Sequence, residues 1–422
     1  MIDIVALREN SEPYIESLER RSMDSSVVSS CLSVDASWRE QKGVLDSLRA
    51  EKNQLSQKIN EVKKTGADLS SVLKEAKELP ARIAEQELRV QELEEKRDAL
   101  LRKIPNILAD QVPKGASEEE NVQRNEFGQK RVFSFPPKSH VEIIESLGVV
   151  DFDASRKTSG SGFFFLKGSL ALLDQALQQY AIDIMLKHNF ELIVPPYMLR
   201  KSTLDGVIDT EEFAHSIFSL QDKDLHLIST SEHSLVGLLT QKDIPAQELP
   251  VRLVGISPCF RAEVGSHGID EKGLFRTHQF HKVEQIIVCT PEESTAWFER
   301  LLAITTEIFT SLEIPIRHLE MCTGDLGMMK HRQFDIEAWS PRKNGYFEVG
   351  SCSNLTDMQA RRLGIRMLLP DGSRVVAHTL NNTALATSRA MVALIENFQQ
   401  EDGTVLIPRV LHPYMRGVTK LS

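Results

Sequence analysis

The sequence predicts an α+β protein in which an N-terminal antiparallel helical hairpin precedes a domain built on an antiparallel sheet. Three observations carry that reading. Apolar residues repeat every seven positions in two early series, a polar linker follows, and strand-like runs then succeed one another with few helices between them.

The hairpin comes first. From Trp38 to Val62, residues Leu48, Leu55 and Val62 keep a seven-residue spacing and Leu45 and Ile59 a double one, which is a heptad seam. A break at Lys64-Thr65-Gly66-Ala67-Asp68 supplies turn residues. A second series then runs through Ala76, Ile83 and Val90, accompanied by Val72, Leu79, Leu93 and Leu100. Two seams joined by a short turn predict an antiparallel coiled-coil arm over residues 38–103. At about 1.5 Å per residue, helices of roughly 25 to 30 residues project on the order of 40 Å. Pro80 lacks a backbone donor and is expected to kink the returning helix or restart it. A dimerisation coiled coil is the alternative for this segment, but the chain reverses after few heptads, so the hairpin can close its own seam.

Ile104-Pro105-Asn106 ends the hairpin, and the polar stretch from Lys114 to Asn121 forms a linker. The expected units are therefore residues 1–112 and 113–422. Beyond the linker, Leu170, Leu173, Leu177, Ala181 and Ile184 share one helical face, and Phe190 to Val194 make an apolar strand stopped by Pro195-Pro196. Further strand-like runs lie at Leu225–Ile228, Val251–Ile256, Lys282–Val288 and Phe334–Trp339, a hairpin-like series that favours an antiparallel sheet over a doubly wound parallel one.

Composition narrows the function classes. With 422 residues and 41% hydrophobic content, the chain can bury a sizeable core. A formal charge of −10, from 50 basic and 60 acidic residues, rules out general electrostatic attraction as the basis of any nucleic-acid contact. Cys31, Cys259, Cys289, Cys322 and Cys352 are odd in number and form no CxxC pair, which argues against disulfides and a structural zinc and for a reducing compartment. The charges of Asp3, Arg8, Glu9, Glu12 and Glu16 interrupt any secretory apolar stretch, and no run reaches the length of a membrane span.

Neither common phosphate loop is present: no GxxxxGK[ST] occurs, and Ser159-Gly160-Ser161-Gly162 runs into aromatics. Three other constellations stand out. An apolar strand ends in Phe260-Arg261-Ala262-Glu263, a loop of Gly, Ser, His and charge spans residues 264–273, and a return strand brings Arg276, Thr277 and Phe280. Arginines flanking such a loop can clamp phosphate with forked donors, and Phe280 offers a face to a base. In Phe347-Glu348-Val349-Gly350-Ser351, a carboxylate and a hydroxyl three residues on could share a hard cation such as magnesium. In the stretch from Leu380 to Arg389, small and polar residues are expected to open an amphipathic helix through Met391, Leu394 and Ile395. Taken singly, each has an ordinary alternative: surface arginines, a strand end with a polar turn, a solvated helix arginine.

The ordered series is more specific. Pro196, then FRAE, then RTHQFHKVE, then FEVGSCSN, then NNTALATSR resemble the three signature motifs of class II aminoacyl-tRNA synthetases, and in detail those of the seryl-tRNA synthetase family of bacterial type. The likeness extends over essentially the whole chain, the helical arm included. It implies a class II synthetase catalytic domain, with ATP and magnesium as cofactors and L-serine and the serine tRNA isoacceptors as substrates. It also implies a homodimer formed through the helix ending near His188 and the strand to Pro196, and a cytoplasmic location without membrane attachment.

The resemblance further implies residue roles. Serine would be held by Thr230, Ser231, Glu232, Arg261, Glu284, Asn381 and Thr383, with Glu232 supplying charge to the ammonium group. ATP would be held by Arg261, Ala262, Glu263, Arg276, Thr277, Phe280, Glu348, Val349, Gly350, Ser351 and Arg389, with Phe280 on adenine and magnesium on Glu348 and Ser351. Arg261 and Arg389 would be catalytic, steadying charge as the serine carboxylate attacks the α-phosphorus. Departures from the family pattern fall at Gly350, where serine is more usual, at Ser231, where alanine is, and at Asn382 and Ala384, where glycines are common. None removes a charged group. The alternative is a paralogue that adenylates serine but loads a carrier protein, and it would ordinarily lack the arm.

Overall fold

The computed structural model describes residues 2–65, 70–209, 213–263 and 273–422. The expected turn at Lys64–Asp68 and the loop at 264–273 fall largely outside the described residues. The chain divides into two compact units, Met1–Ile107 and Leu108–Ser422.

The first unit is helical. Helices α1 (Ser26–Thr65) and α2 (Ser70–Arg102) pack along each other. Their seam buries Leu45, Leu48 and Leu55 of α1 against Leu79, Ile83 and Val90 of α2, flanked by Trp38 and Ile59. These are the heptad positions, and at roughly 1.5–3 kcal/mol per buried aliphatic side chain they give the hairpin a core of its own. Polar bonds across the seam fix its register: Arg49 reaches Glu87 at 2.7 Å, and Gln86 Nε2 donates to the Gln41 carbonyl at 2.8 Å. Near the base, the Arg97 guanidinium lies 4.4 Å from the Trp38 ring centroid. Pro80 neither ends nor restarts α2, which runs through it. Leu79 beside it is buried in the seam while Pro80 is exposed, so the lost donor lies on the solvent side. The short helices Ile4–Glu9 and Glu12–Arg20 complete the unit, with Leu7, Leu18, Cys31, Leu101 and Ile104 buried at its base.

The second unit is built on an eight-stranded sheet: β1 (Val122–Phe127), β2 (Glu191–Ile193), β3 (Val251–Phe260), β4 (Gln279–Cys289), β5 (Ile316–Glu320), β6 (Arg332–Ser340), β7 (Gly345–Thr356) and β8 (His378–Ala386). Their spatial order is β1-β5-β6-β7-β8-β4-β3-β2. Every neighbouring pair is antiparallel except β2 with β3. The predicted run at Leu225–Ile228 gives only a two-residue strand outside this sheet.

Helices α3 (Gly168–Lys187), α5 (Ser294–Ser311) and α6 (Thr387–Phe398) cover one face of the sheet with the main apolar core. The short α4 (Ser231–Gly237) packs against the other face at β3 and β4. The alternation of β4 records this division. Val283, Ile287 and Cys289 point into the main core, while Lys282 and Glu284 line the opposite face and Ile286 and Val288 join a second apolar cluster beside α4.

One expectation needs correction. Leu380 to Ala386 do not open the last helix: they form β8, and α6 begins only at Thr387. A central strand buried on both faces carries no polar–apolar alternation. Asn382, on the core side, donates through Nδ2 to the Leu301 carbonyl and the Thr305 hydroxyl of α5, so its polarity serves the core and misleads as a helix-start signal.

Candidate active site

Two cavities that share Arg261, Lys282 and Ser351 open on the sheet face opposite the long helices. The first is lined by Arg261, Glu263, Thr277, Phe280, Glu348, Val349, Gly350, Ser351 and Arg389, together with Phe275 and Thr383. The second, of about 200 Å³, takes in Thr230, Glu232, Glu284 and Asn381, with His233, Met329 and Lys330.

Irregularities in two strands assemble the first cavity. In a regular strand, residues three apart face opposite sides of the sheet, so Glu348 and Ser351 could not meet one ligand. In β7 the pairing runs from Ile336↔Gly350 to Glu337↔Glu348, leaving Val349 as an extra residue. That bulge turns Glu348 onto the face of Ser351 while Val349 stays in the core. Strand β8 repeats the device at Ala384, between Thr383↔Glu284 and Leu385↔Val283, and brings Thr383 and Ala386 to the same cavity. Glycine at 350 suits the resulting crowding, since a Cβ there would lie 2.9 Å from the Thr383 Cβ and Thr383 would have to shift.

The charges are arranged in pairs. Arg389 donates to the Glu348 carboxylate at 2.8 Å and to its carbonyl at 3.0 Å. Surrounding protein would raise the Glu348 carboxyl, but the Arg389 guanidinium outweighs that and holds it below the usual range. Asp335, half-buried, is pushed up instead, by desolvation first and then by the Glu348 charge it faces. The Arg261 guanidinium lies 5.3 Å from the Phe280 ring centroid, and its backbone is clipped to His278, N–H to carbonyl at 3.0 Å and carbonyl to Nδ1 at 2.8 Å. Arg276 stands 4.0 Å from Glu263 at the cavity rim, and Ala262 is fixed by its N–H to the Ser216 carbonyl at 2.9 Å.

In the second cavity, the Lys282 ammonium and the Glu284 carboxylate pair at 2.7 Å, both buried. Glu232 accepts from Gln359 Nε2 at 2.7 Å. Burial, and next the Glu284 charge, push its carboxyl up to about 7. His233 is held neutral by burial, down to about 3, with Lys282 and Arg261 adding to the effect. Thr230 caps α4, its hydroxyl accepting from the Glu232 N–H at 3.2 Å, and so aims the start of that helix at the cavity.

The structure thus brings together nearly all the residues singled out in the sequence. Ala262 and Arg276 lie beside the first cavity and do not line it. Ser231, the first residue of α4, is fully buried against Gly255, where a Cβ would meet its hydroxyl at 2.5 Å, and its side chain reaches neither cavity. Thr383 lines the first cavity and not the second. Sequence reasoning missed Lys282, although the alternation Phe280, Lys282, Glu284 along one strand face could have revealed it. It also missed Phe275, Gln359 and Lys330, which approach from separate segments and carry no local signal.

An antiparallel sheet bearing two flanking arginines, a bulged carboxylate–hydroxyl pair and a last arginine on the helix after β8 defines a class II aminoacyl-tRNA synthetase. Residues 216–398 match the family model of the class II tRNA synthetase core domain (G, H, P, S and T), and residues 1–108 that of the seryl-tRNA synthetase N-terminal domain. The serine–tRNA ligase of Methanospirillum hungatei is 45% identical, over 98% of this chain and 99% of its own, and that of Methanocella arvoryzae 42% identical over the full length of both. Among solved structures, the seryl-tRNA synthetase of Pyrococcus horikoshii complexed with ATP aligns over 100% of this chain and 99% of its own, with a TM-score of 0.92 and 40% identity. The cytoplasmic serine–tRNA ligase of Naegleria fowleri in complex with AMP covers the same shares, with a TM-score of 0.88 and 30% identity. The chain belongs to the seryl-tRNA synthetase family.

Proposed function

We propose that the two cavities are the nucleotide and amino-acid halves of one serine-activating site, the observation that carries this being the arginine, Arg261, that both share. The family's reaction joins L-serine to ATP as seryl-adenylate, releases pyrophosphate, and passes the seryl group to the 3′-terminal adenosine of tRNA. Full-length relatives that are serine–tRNA ligases, and an N-terminal segment of the family's own type, give the carrier-protein alternative no support.

On this reading ATP lies in the first cavity with adenine on Phe280, Glu263 and Thr277 beside it, and the far phosphates near Arg276 and Arg389. Val349 and Gly350 form the wall between Glu348 and Ser351. These two offer a carboxylate and a hydroxyl on one face, the oxygen donors a magnesium ion prefers, and they would hold the metal that comes with ATP. A bound magnesium supplies charge neutralisation on the phosphates. Serine lies in the second cavity, its ammonium on Glu232 and Thr230, its hydroxyl toward Glu284 and Asn381 with Thr383 across the ladder from Glu284, and its carboxylate on Arg261. Lys282 keeps the Glu284 charge compensated in a buried place where an unpaired carboxylate would be costly. Residues 1–112, with the arm at 38–103, serve as the tRNA-binding unit, and 113–422 as the catalytic domain.

A homodimer is supported by the exposed apolar side chains at the outer edge of the sheet: Leu192 on edge strand β2, Val194 just beyond it at 67% exposure, and Leu186 at the end of α3. Among the described residues no helix is long and apolar enough to cross a membrane. The five cysteines are free and buried, in keeping with a reducing cytoplasm.

The test is amino-acid-dependent pyrophosphate exchange run over all twenty amino acids. Serine alone should support strong exchange, with threonine weak, alanine weaker, and none without magnesium. A site that hydrogen-bonds the hydroxyl rejects its deoxy analogue because buried polar groups are left unpaired. Turnover of alanine equal to that of serine would sink the assignment.

The Glu232 carboxyl adds a pH dependence. Below about 7 it is protonated and has no charge to offer the substrate ammonium; above, it does. In exchange assays, kcat/KM for serine should therefore rise with pH up to about 7 and then level, because this ratio reports the free enzyme. Glu232→Gln should flatten that limb. A level profile for the parent between pH 6 and 8 would count against the role.

A further inference from the structure

Outside the two cavities lies a buried polar cluster drawn from four segments. His140 begins the helix His140–Ser146, Glu396 belongs to α6, Ser340 ends β6, and Leu274 lies on the segment entering β4. The Leu274 N–H donates to His140 Nε2 at 3.2 Å. That bond makes Nε2 the acceptor and leaves the ring proton on Nδ1, which stands 3.4 Å from Glu396 Oε1. The His140 backbone N–H also donates to Glu396 Oε1, at 3.3 Å, and the Ser340 hydroxyl donates to Oε2. Burial works against the Glu396 charge, but the bonds from His140 and Ser340 hold its carboxyl below the usual range. Gly273, at φ +87°, passes so close that a Cβ there would lie 2.4 Å from His140 Nε2.

The next residue is Phe275, which lines the first cavity. Its ring packs edge-on against Phe347, with centroids 5.5 Å apart, and its centroid lies 5.1 Å from the Arg389 guanidinium and 4.9 Å from the Lys343 ammonium. Fixing the backbone one residue earlier fixes where this ring lies, and the ring in turn supports the arginine that pairs with Glu348. We infer that His140, oriented by Glu396, is a positioning residue for nucleotide binding: it tethers Leu274 so that Phe275 supports Arg389 at the phosphate end of the cavity. This deepens the proposed function and rests on its assignment of the first cavity to ATP. Neither His140 nor Glu396 reaches that cavity, so neither touches substrate.

The test uses the full-length protein in serine-dependent pyrophosphate exchange. His140→Leu, which removes the acceptor, should raise KM for ATP on the order of tenfold, the scale of one hydrogen bond with the placement it secures, while KM for serine stays within about twofold. His140→Gln should restore most of the loss, because its Oε1 reaches the place of Nε2. The double variant His140→Leu with Phe275→Leu should match Phe275→Leu alone, since the tether acts through that ring. Equal rises in both KM values, failure of glutamine to rescue, or additive effects would overturn the inference. So would a Phe275→Leu variant with raised KM for ATP beside a His140→Leu variant without one, which would leave the nucleotide cavity standing. Phe275→Leu and Arg389→Ala both without effect on ATP would instead sink the cavity assignment and this inference with it.

Discussion

Replacing residues 46–86 by a short glycine-containing turn should leave serine-dependent pyrophosphate exchange near its full rate while tRNA charging falls by at least about 100-fold. The cut follows the register of the hairpin. It removes the outer seam, Leu48 to Ile83, and keeps the stacking of Arg97 on Trp38 and the buried base around Leu7, Leu18, Cys31, Leu101 and Ile104. The excised side chains pair with each other, so their joint loss leaves no orphaned apolar face. On the proposed assignment, adenylate formation draws on residues of the catalytic domain. The transfer step also needs the acceptor end of a large RNA brought to the adenylate, and loss of a remote binding contact then appears in the rate, because that binding energy is used for positioning. Exchange and charging measured side by side on one preparation decide the matter. Charging at the parent rate would remove the arm from recognition, and loss of both activities would make it a support for the fold.

Arg261→Lys should lower kcat for adenylation by roughly 10²- to 10³-fold, the range seen when one preorganised donor to a developing charge is removed. Arg261 and Lys282 are the two cations that line both cavities, and since Lys282 is paired with Glu284 at 2.7 Å, the proposed reading gives Arg261 the serine carboxylate and the α-phosphate together. A lysine keeps the charge but not the planar fork, and it cannot share its donors between two oxyanions in one geometry. The backbone bonds between Arg261 and His278 do not depend on the side chain, so the local fold should persist. Single-turnover formation of seryl-adenylate, at saturating ATP and serine, reports the step directly. A rate within threefold of the parent would contradict the role.

The parts of this fold that could be read from sequence are those with one-dimensional periodicity. The seam of α1 and α2 was legible because Leu48, Leu55, Ile83 and Val90 repeat in heptads, and β3 and β6 because their apolar runs are bounded by polar residues. Strand β8 was misread, since a strand buried on both faces lacks alternation and its asparagines look like a helix cap. The site residues were found through the order of motifs along the chain. That Thr383 lines the first cavity while pairing across the ladder with Glu284, and that Ser231 is buried against Gly255, are facts of tertiary packing that motif order does not disclose. Phe275, Gln359 and His140 act through contacts between distant segments, and no spacing rule encodes those.

The extra residues in β7 and β8 also bear on how this chain can vary in length. Val349 and Ala384 have no partner across the ladder, so the pairing of the sheet does not depend on either. Excising Val349 would make the ladder regular and leave Glu348 and Ser351 on one face, but two residues apart instead of three, and it would remove a core side chain and the local kink that sets the spacing of the carboxylate and the hydroxyl. The count of residues through these two strands, and not only their identity, therefore carries the chemistry: one residue more or fewer between Glu348 and Ser351, or between Thr383 and Ala386, resets the spacing of the groups that share the first cavity.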